Sequence, residues 1–172
     1  MDAGRYAATE ILRDGRTLLI RALRPEDRAE LEAAAGRLSD ESIYRRFFTL
    51  KRRFSEREAE YYTHVDFVQH VALAAVLREQ GRERIVGTAR YVVSEPGAAE
   101  VAFVVDDAHQ GQGIGSRLMR HLAGIAREAG LQRLVAEVLA ANAPMLRVFE
   151  KSGLRARTKR ERDVLLLTLD LS

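Results

Sequence analysis

The apolar positions of this chain fall into blocks with a strand-like pattern and blocks with a helix-like period. Ile11–Arg13 and Thr17–Leu23 are short extended runs on either side of Asp14-Gly15, and a turn dipeptide in that place predicts a β-hairpin. Pro25-Glu26-Asp27 puts a proline and two acids in one first turn, which predicts a helix carrying Leu31 as far as Gly36. A second helix is predicted from Ser39, with Ile43, Phe47 and Phe48 facing inward. Ser55-Glu56-Arg57-Glu58 is a capping box and predicts a short helix through Tyr61 and Tyr62. Val71–Leu77 and Ile85–Val93 are strand-like runs joined at Gln80-Gly81, and Ser94–Gly97 turns the chain into a strand at Glu100–Val105. After a polar, glycine-rich turn, Ile114, Leu118, Leu122, Ile125, Ala126 and Ala129 recur at steps of three and four. That spacing predicts a helix with one buried stripe, ended by Gly130. Leu134–Leu139 then reads as a strand, Asn142–Ser152 as a helix ended by Gly153, and Val164–Leu171 as the last strand. Arg155, Arg157, Lys159, Arg160 and Arg162, broken by Glu161, read as a solvated loop before it.

This order predicts a mixed α/β fold. The sheet is mostly antiparallel, one right-handed crossover makes two strands parallel, and helices cover both faces. With 172 residues, 47% of them hydrophobic, the chain suits a single domain spanning residues 1–172. No apolar run approaches the ~20 residues needed to span a bilayer. The first residues lack an apolar signal core. A soluble, cytoplasmic protein with no membrane partner is expected. The absence of cysteine excludes disulfides, thiolate metal sites and a cysteine nucleophile. His64, His70, His109 and His121 show no metal-ligand spacing, so no metal is expected. The net charge is only +3, and Lys51-Arg52-Arg53 sits close to Glu56, Glu58 and Glu60. Mixed charge of that kind describes a solvated surface and not a nucleic-acid groove.

The most informative stretch runs from Val101 to Gly115: a strand, a turn with alternating glycines, then a helix start. Backbone N–H groups left unpaired at a helix N-terminus, together with the helix dipole, bind anions. Glycines let the backbone approach a phosphate closely. A Walker loop would need Gly-Lys-Ser/Thr at its end, but Gly113 is followed by Ile114-Gly115. A Rossmann turn starting at Gly111 would need glycine where Ser116 stands. The remaining pattern, Gln/Arg-x-x-Gly-x-Gly/Ala, fits Gln110-Gly111-Gln112-Gly113-Ile114-Gly115 at every fixed position.

With that loop, the chain resembles the GNAT N-acetyltransferase superfamily. It is most similar to the acetyltransferase domain of bacterial Pat-type protein-lysine acetyltransferases. The resemblance runs from about Thr17 to Leu154. Its main stretches are Ile20–Asp27, Leu38–Phe48, Ile85–Tyr91 and Glu137–Leu146. It implies the GNAT fold, with its two splayed parallel strands, and acetyl-CoA as co-substrate. Gln110, Gly111, Gln112, Gly113, Ile114, Gly115 and Ser116 would hold the CoA, with the pyrophosphate over Gln112–Ser116. Phe103, Val104 and Val105 would line the thioester and pantetheine, with a backbone N–H of Val104 or its neighbour donating to the acyl oxygen. Asn142, a natural N-cap, would also contact the CoA arm, and Met145 would pack on pantetheine or core.

By the same resemblance Glu100, ten residues before Gln110, would be the general base. From the residues alone it reads rather as a strand-end surface acid, and the resemblance is what makes it the base. Asp106 and Asp107 read as turn formers and outward-facing caps. Phe149 stands where many GNAT members carry a tyrosine that protonates the departing thiolate. A thiol of pKa ~8.5 leaves fairly well without such an acid.

The implied reaction is direct attack of an amine on acetyl-CoA within a ternary complex. A protein lysine, for instance on an acyl-CoA synthetase, is the expected acceptor, and the enzyme is expected to be a monomer or homodimer. Two alternatives stay open: acetylation of a small amine or antibiotic, for which Glu41, Asp66 and Glu95 are candidate pocket acids, and a non-catalytic CoA-binding sensor.

Overall fold

The computed structural model of the chain describes residues 1–39 and 55–172. The predicted helix from Ser39, with Ile43, Phe47 and Phe48, therefore lies outside the described residues, as do Glu41 and Lys51-Arg52-Arg53. Eight strands form one sheet in the order β1-β2-β3-β4-β5-β6-β8-β7. They are β1 (Ala7–Ile11), β2 (Thr17–Ala22), β3 (His70–Glu79), β4 (Arg82–Glu95), β5 (Ala98–Val105), β6 (Arg133–Leu139), β7 (Arg155–Glu161) and β8 (Val164–Asp170). All neighbours are antiparallel except β5 and β6. Among the described residues the α-helices are α1 (Arg28–Gly36), α2 (Glu56–Thr63), α3 (Ile114–Glu128) and α4 (Ala143–Lys151). The mixed α/β sheet with one parallel pair is the predicted architecture.

The two faces of the sheet carry separate cores. On one face α3 lays the stripe Ile114, Leu118, Leu122, Ile125 and Ala126 against Leu73, Ala89, Phe103, Leu134 and Leu167, with Phe149 of α4 beside them. On the other face α1, through Leu31 and Ala34, packs against Leu23, Ala72, Ala74, Val76 and Ile85. Helix α2 opens on the predicted capping box, with Ser55 and Glu58 exchanging bonds with each other's backbone N–H at 3.1 Å. Its Tyr62 ring lies 4.9 Å from the Arg90 guanidinium. The Arg21 guanidinium meets Asp27 twice at 2.8 Å, tying β2 to the turn before α1. Burial alone would raise the Asp27 carboxyl, but Arg21 and the Arg24 N–H hold it below the usual aspartate range.

Three expectations need correction. The first hairpin is displaced: β1 ends at Ile11, and Leu12, buried at 3%, already belongs to the turn, its N–H donating to the Arg16 carbonyl. The basic run after α4 is not a loop but β7, paired along its whole length with β8 and exposed at every residue. Asp106 faces inward and not outward, 6% exposed. Its carboxylate lies 3.5 Å from Arg84, 3.9 Å from Arg37 and 3.4 Å from His109. Among the described residues no helix is long and apolar enough to cross a membrane.

Candidate active site

Strand β5 runs between two different neighbours. It pairs with β4 from Ala98 to Val105, but with β6 only at Ala98, Ala99 and Glu100. Beyond Glu100 the parallel strands part. The Asp106 N–H donates to the Val86 carbonyl at 2.8 Å. Counting back by twos along the register, the polar backbone groups of Val104, Ala102 and Glu100 face β4. Those of Phe103 and Val105 face the gap, where no described strand pairs with them. The amide of Gln110 reaches back to the Val105 carbonyl at 3.1 Å.

The gap widens into a cavity of about 600 Å³. Of the predicted site residues, Glu100, Phe103, Val104, Val105, Gln110, Gly111, Gly113, Ile114, Gly115, Ser116, Asn142 and Met145 all line it. Gln112 does not. Its side-chain oxygen instead accepts from Arg16 at 2.9 Å, and Arg16 is also held by Asp14 at 2.7 Å. The sequence motif thus splits into residues that face the cavity and one that ties the loop to the first hairpin.

Each wall has a local cause. Gly113 is the N-cap of α3 with φ +81°, and no side chain caps that end. The amides of the first helical turn therefore point into the cavity mouth, the arrangement that suits a phosphate. A Cβ on Gly113 would sit 2.5 Å from the Arg117 guanidinium, which bonds the Gly113 carbonyl at 3.1 Å and the Ile11 carbonyl at 3.1 Å. Gly115 is required for a different reason. Its Cβ would meet Val148 at 3.0 Å, so glycine lets α3 approach α4 closely. Asn142, 6% exposed, caps α4 by accepting from the Met145 N–H at 3.3 Å. Phe149 stacks edge-on against Phe103, with centroids 5.9 Å apart.

Several lining residues escaped the sequence reading. Tyr61, Tyr62 and Arg90 wall the side of the cavity near Glu100, and Arg13, Arg147 and Lys151 add positive charge. Arg90 is buried, bonded to the Tyr62 carbonyl at 3.2 Å and to His70 at 3.0 Å. The adjacent tyrosines on a capped helix were the available signal. The other candidate pocket acids are committed elsewhere. Asp66 accepts from the N–H groups of Val68, Gln69 and His70, each at 2.9 Å, which holds its carboxyl below the usual range. Glu95 pairs with Arg133 at 2.7 Å. His109 lines the cavity but is turned toward Asp106 and Glu79. His121 lies on the far side of α3, half-buried between Tyr6 and Glu10, where burial and then Arg120 push its pKa down.

The profile of the acetyltransferase (GNAT) family matches residues 41–154. This chain belongs to the GNAT family. It is 36% identical over 137 residues to the acetyltransferase PA5475 of Pseudomonas aeruginosa, covering 79% of this chain and 74% of that protein. The acetyltransferase Pat of Mycolicibacterium smegmatis is 34% identical over 144 residues. That match takes in 83% of this chain but only 42% of Pat, so the chain spans less than half of that relative. The crystal structure of the GNAT domain of S. lividans PAT superposes with a TM-score of 0.85 at 39% identity, covering 95% of this chain and 96% of that one. This GNAT protein is an acetyl-CoA-dependent N-acetyltransferase. The cavity has the uncapped helix N-terminus at one end, strand backbone without a strand partner along one side, and Met145 and Phe149 among its apolar lining.

Proposed function

We propose that this acetyltransferase modifies a lysine side chain of a protein, with Glu100 as general base. The observation that carries the reading is the position of Glu100. It sits on the last rung that joins β5 to β6, exposed, where the cavity begins. A lysine in water has a pKa of ~10.4, so releasing its proton at pH 7 costs roughly 4 to 5 kcal/mol. A carboxylate at the mouth can take that proton directly or through a water.

The other assignments follow from the same geometry. The N–H groups of Ile114, Gly115 and Ser116 hold the pyrophosphate, and Gln110, Gly111 and Gly113 shape the turn that aims them. Val105 and Phe103 turn backbone polar groups into the gap, so their N–H groups are the donors available to the acyl oxygen. Val104, whose amide is spent on β4, contributes only its side chain and its place in the wall. Asn142 fixes the start of α4, and Met145 and Phe149 give the arm an apolar surface. Gln112 acts at one remove, by holding the loop against Arg16. With no cysteine in the chain, the amine attacks the thioester directly and no side chain is acylated. The similarity to Pat-type proteins supports a protein lysine over a small amine.

The test is a screen of the purified protein with acetyl-CoA against lysine peptides and small amines, followed by initial-rate kinetics on the best acceptor. Intersecting rate patterns with a lysine peptide are expected. Acetylation confined to small amines would remove the protein-lysine reading. Ping-pong patterns, or an acetylated enzyme trapped without acceptor, would remove the direct mechanism.

A further inference from the structure

The sheet register places Glu100 in a row of four residues that crosses to the edge of the molecule. Glu100 on β5 pairs with Val135 on β6, Val135 with Thr168 on β8, and Thr168 with Arg157 on β7. Paired residues point to the same face, so these four side chains share one surface. On its two sides lie the rows Arg133–Asp170–Arg155 and Glu137–Leu166–Lys159. Val135, Leu166 and Thr168 are half-buried, whereas their neighbours on the opposite face, Leu134 at 0%, Leu167 at 6% and Leu169 at 0%, are sealed under helices. The surface is thus an open floor continuous with the cavity, which both Glu100 and Glu137 line.

Along the row through Glu100 the charge runs from an acid at the cavity end to Arg157 at the outer edge, flanked there by Arg155 and Lys159. Asp170 and Glu161 stand among these bases, and Arg133 on β6 is paired with Glu95. Lys159 is 3.7 Å from Glu161, and Asp170 senses both Arg155 and Arg157, which help to lower its pKa after the bonds it accepts from Ser172. Arg157 itself makes no ion pair among the described residues. An edge strand rich in arginine also resists aggregation by pairing with other strands. That function would need charge along the strand, but not an arginine in the same row as Glu100.

We infer that this floor is the docking surface for the acceptor protein, and that it selects a lysine with acidic residues close by in an extended segment. The inference rests on the protein-lysine reading above. Three strand spacings separate Glu100 from Arg157, ~14 Å, which about four residues of extended chain span. A lysine entering toward Glu100 would thus bring an acidic side chain about four positions away over Arg157. Complementary charge of this kind acts on encounter and specificity more than on the chemical step, and weakens with salt.

The test compares two peptides of equal length, each with one lysine, one flanked by Asp and Glu four residues away and the other by Ser and Gln. The full chain and Arg157→Glu are assayed with acetyl-CoA. Wild type should favour the acidic peptide, through KM. Arg157→Glu should lower that preference by roughly threefold to tenfold. Its kcat on the neutral peptide and its CoA affinity should stay unchanged, because Arg157 is exposed and does not line the cavity. Raising salt should shrink the wild-type preference in parallel. If wild type acetylates both peptides equally, or Arg157→Glu keeps the wild-type ratio, the docking surface is wrong while the lysine reading stands. If wild type acetylates neither peptide but does acetylate small amines, both fail together.

Discussion

Strand β5 has two seams, and they differ in one respect. Toward β4 the antiparallel ladder runs from Ala98 to Val105. Toward β6 the parallel ladder stops at Glu100. The closed seam contributes stability in the ordinary way. The open one leaves the backbone of Phe103 and Val105 without a strand partner and opens into the cavity. The Gln110 amide already meets the Val105 carbonyl, and the proposed reading gives the N–H groups of Phe103 and Val105 to the substrate arm. On the proposed reading the site uses backbone groups that the sheet leaves to the gap, and the side chains around it aim, cap and wall it.

The sharpest way to break this comparison is at the rung where the two seams diverge. Glu100→Gln should lower kcat by about two to four orders of magnitude, the usual contribution of a general base, with CoA affinity unchanged. Rates measured across pH would check it, since the deficit should narrow as more acceptor amine becomes neutral. A variant as fast as wild type would make Glu100 a surface acid.

Next in size is the glycine turn. Gly113→Val forces a β-branched residue into the left-handed region and displaces the Arg117 guanidinium from the loop carbonyl it bonds, and should weaken CoA binding by about a hundredfold or more, read by calorimetric titration. Gly115→Val should act differently. It overpacks α3 against Val148, and its main effect should be a stability loss of about 1 to 3 kcal/mol in denaturant unfolding.

The closed side of the sheet is tested through Arg21 and Asp27. Their side chains are 6% and 11% exposed, and removing one partner, as in Arg21→Ala, should cost about 3 to 5 kcal/mol of stability. Because the folded Asp27 carboxyl is held below its unfolded value, its contribution is complete above a pH of about 4 and fades as pH falls through the lower folded pKa. Asp27→Asn should flatten the acid limb of the stability curve. The smallest effect is expected from Phe149→Tyr. A good thiolate leaving group gains little from an added acid, so kcat should change by less than about threefold.

The elements that were legible in the sequence are those whose signals are local. The capping box at Ser55, the stripe of α3 and the alternating glycines each state their structure within a few residues. Strand β7 was not legible, because an exposed edge strand with seven solvent-facing residues has no apolar period to reveal it. Asp106 does cap its turn, accepting from the Ala108 N–H, but its inward direction was not legible, because Arg37 and Arg84, which face it, come from distant parts of the chain. The outcome for Gln112 was hidden for the same reason: its partner, Arg16, lies in the first hairpin. The motif residues that line the cavity, Gln112 apart, were legible in the sequence. Those on α2 and β4, Tyr61, Tyr62 and Arg90, are brought in only by the folding of the sheet.

The most direct test of the open seam is a backbone amide NMR titration of the protein with CoA and then acetyl-CoA. The amides of Phe103, Val105, Ile114, Gly115 and Ser116 should shift and become protected from exchange, while those of Ala102 and Val104, already bonded to β4, should move little. Shifts spread evenly along β5, or concentrated at α1 and β2, would contradict the account.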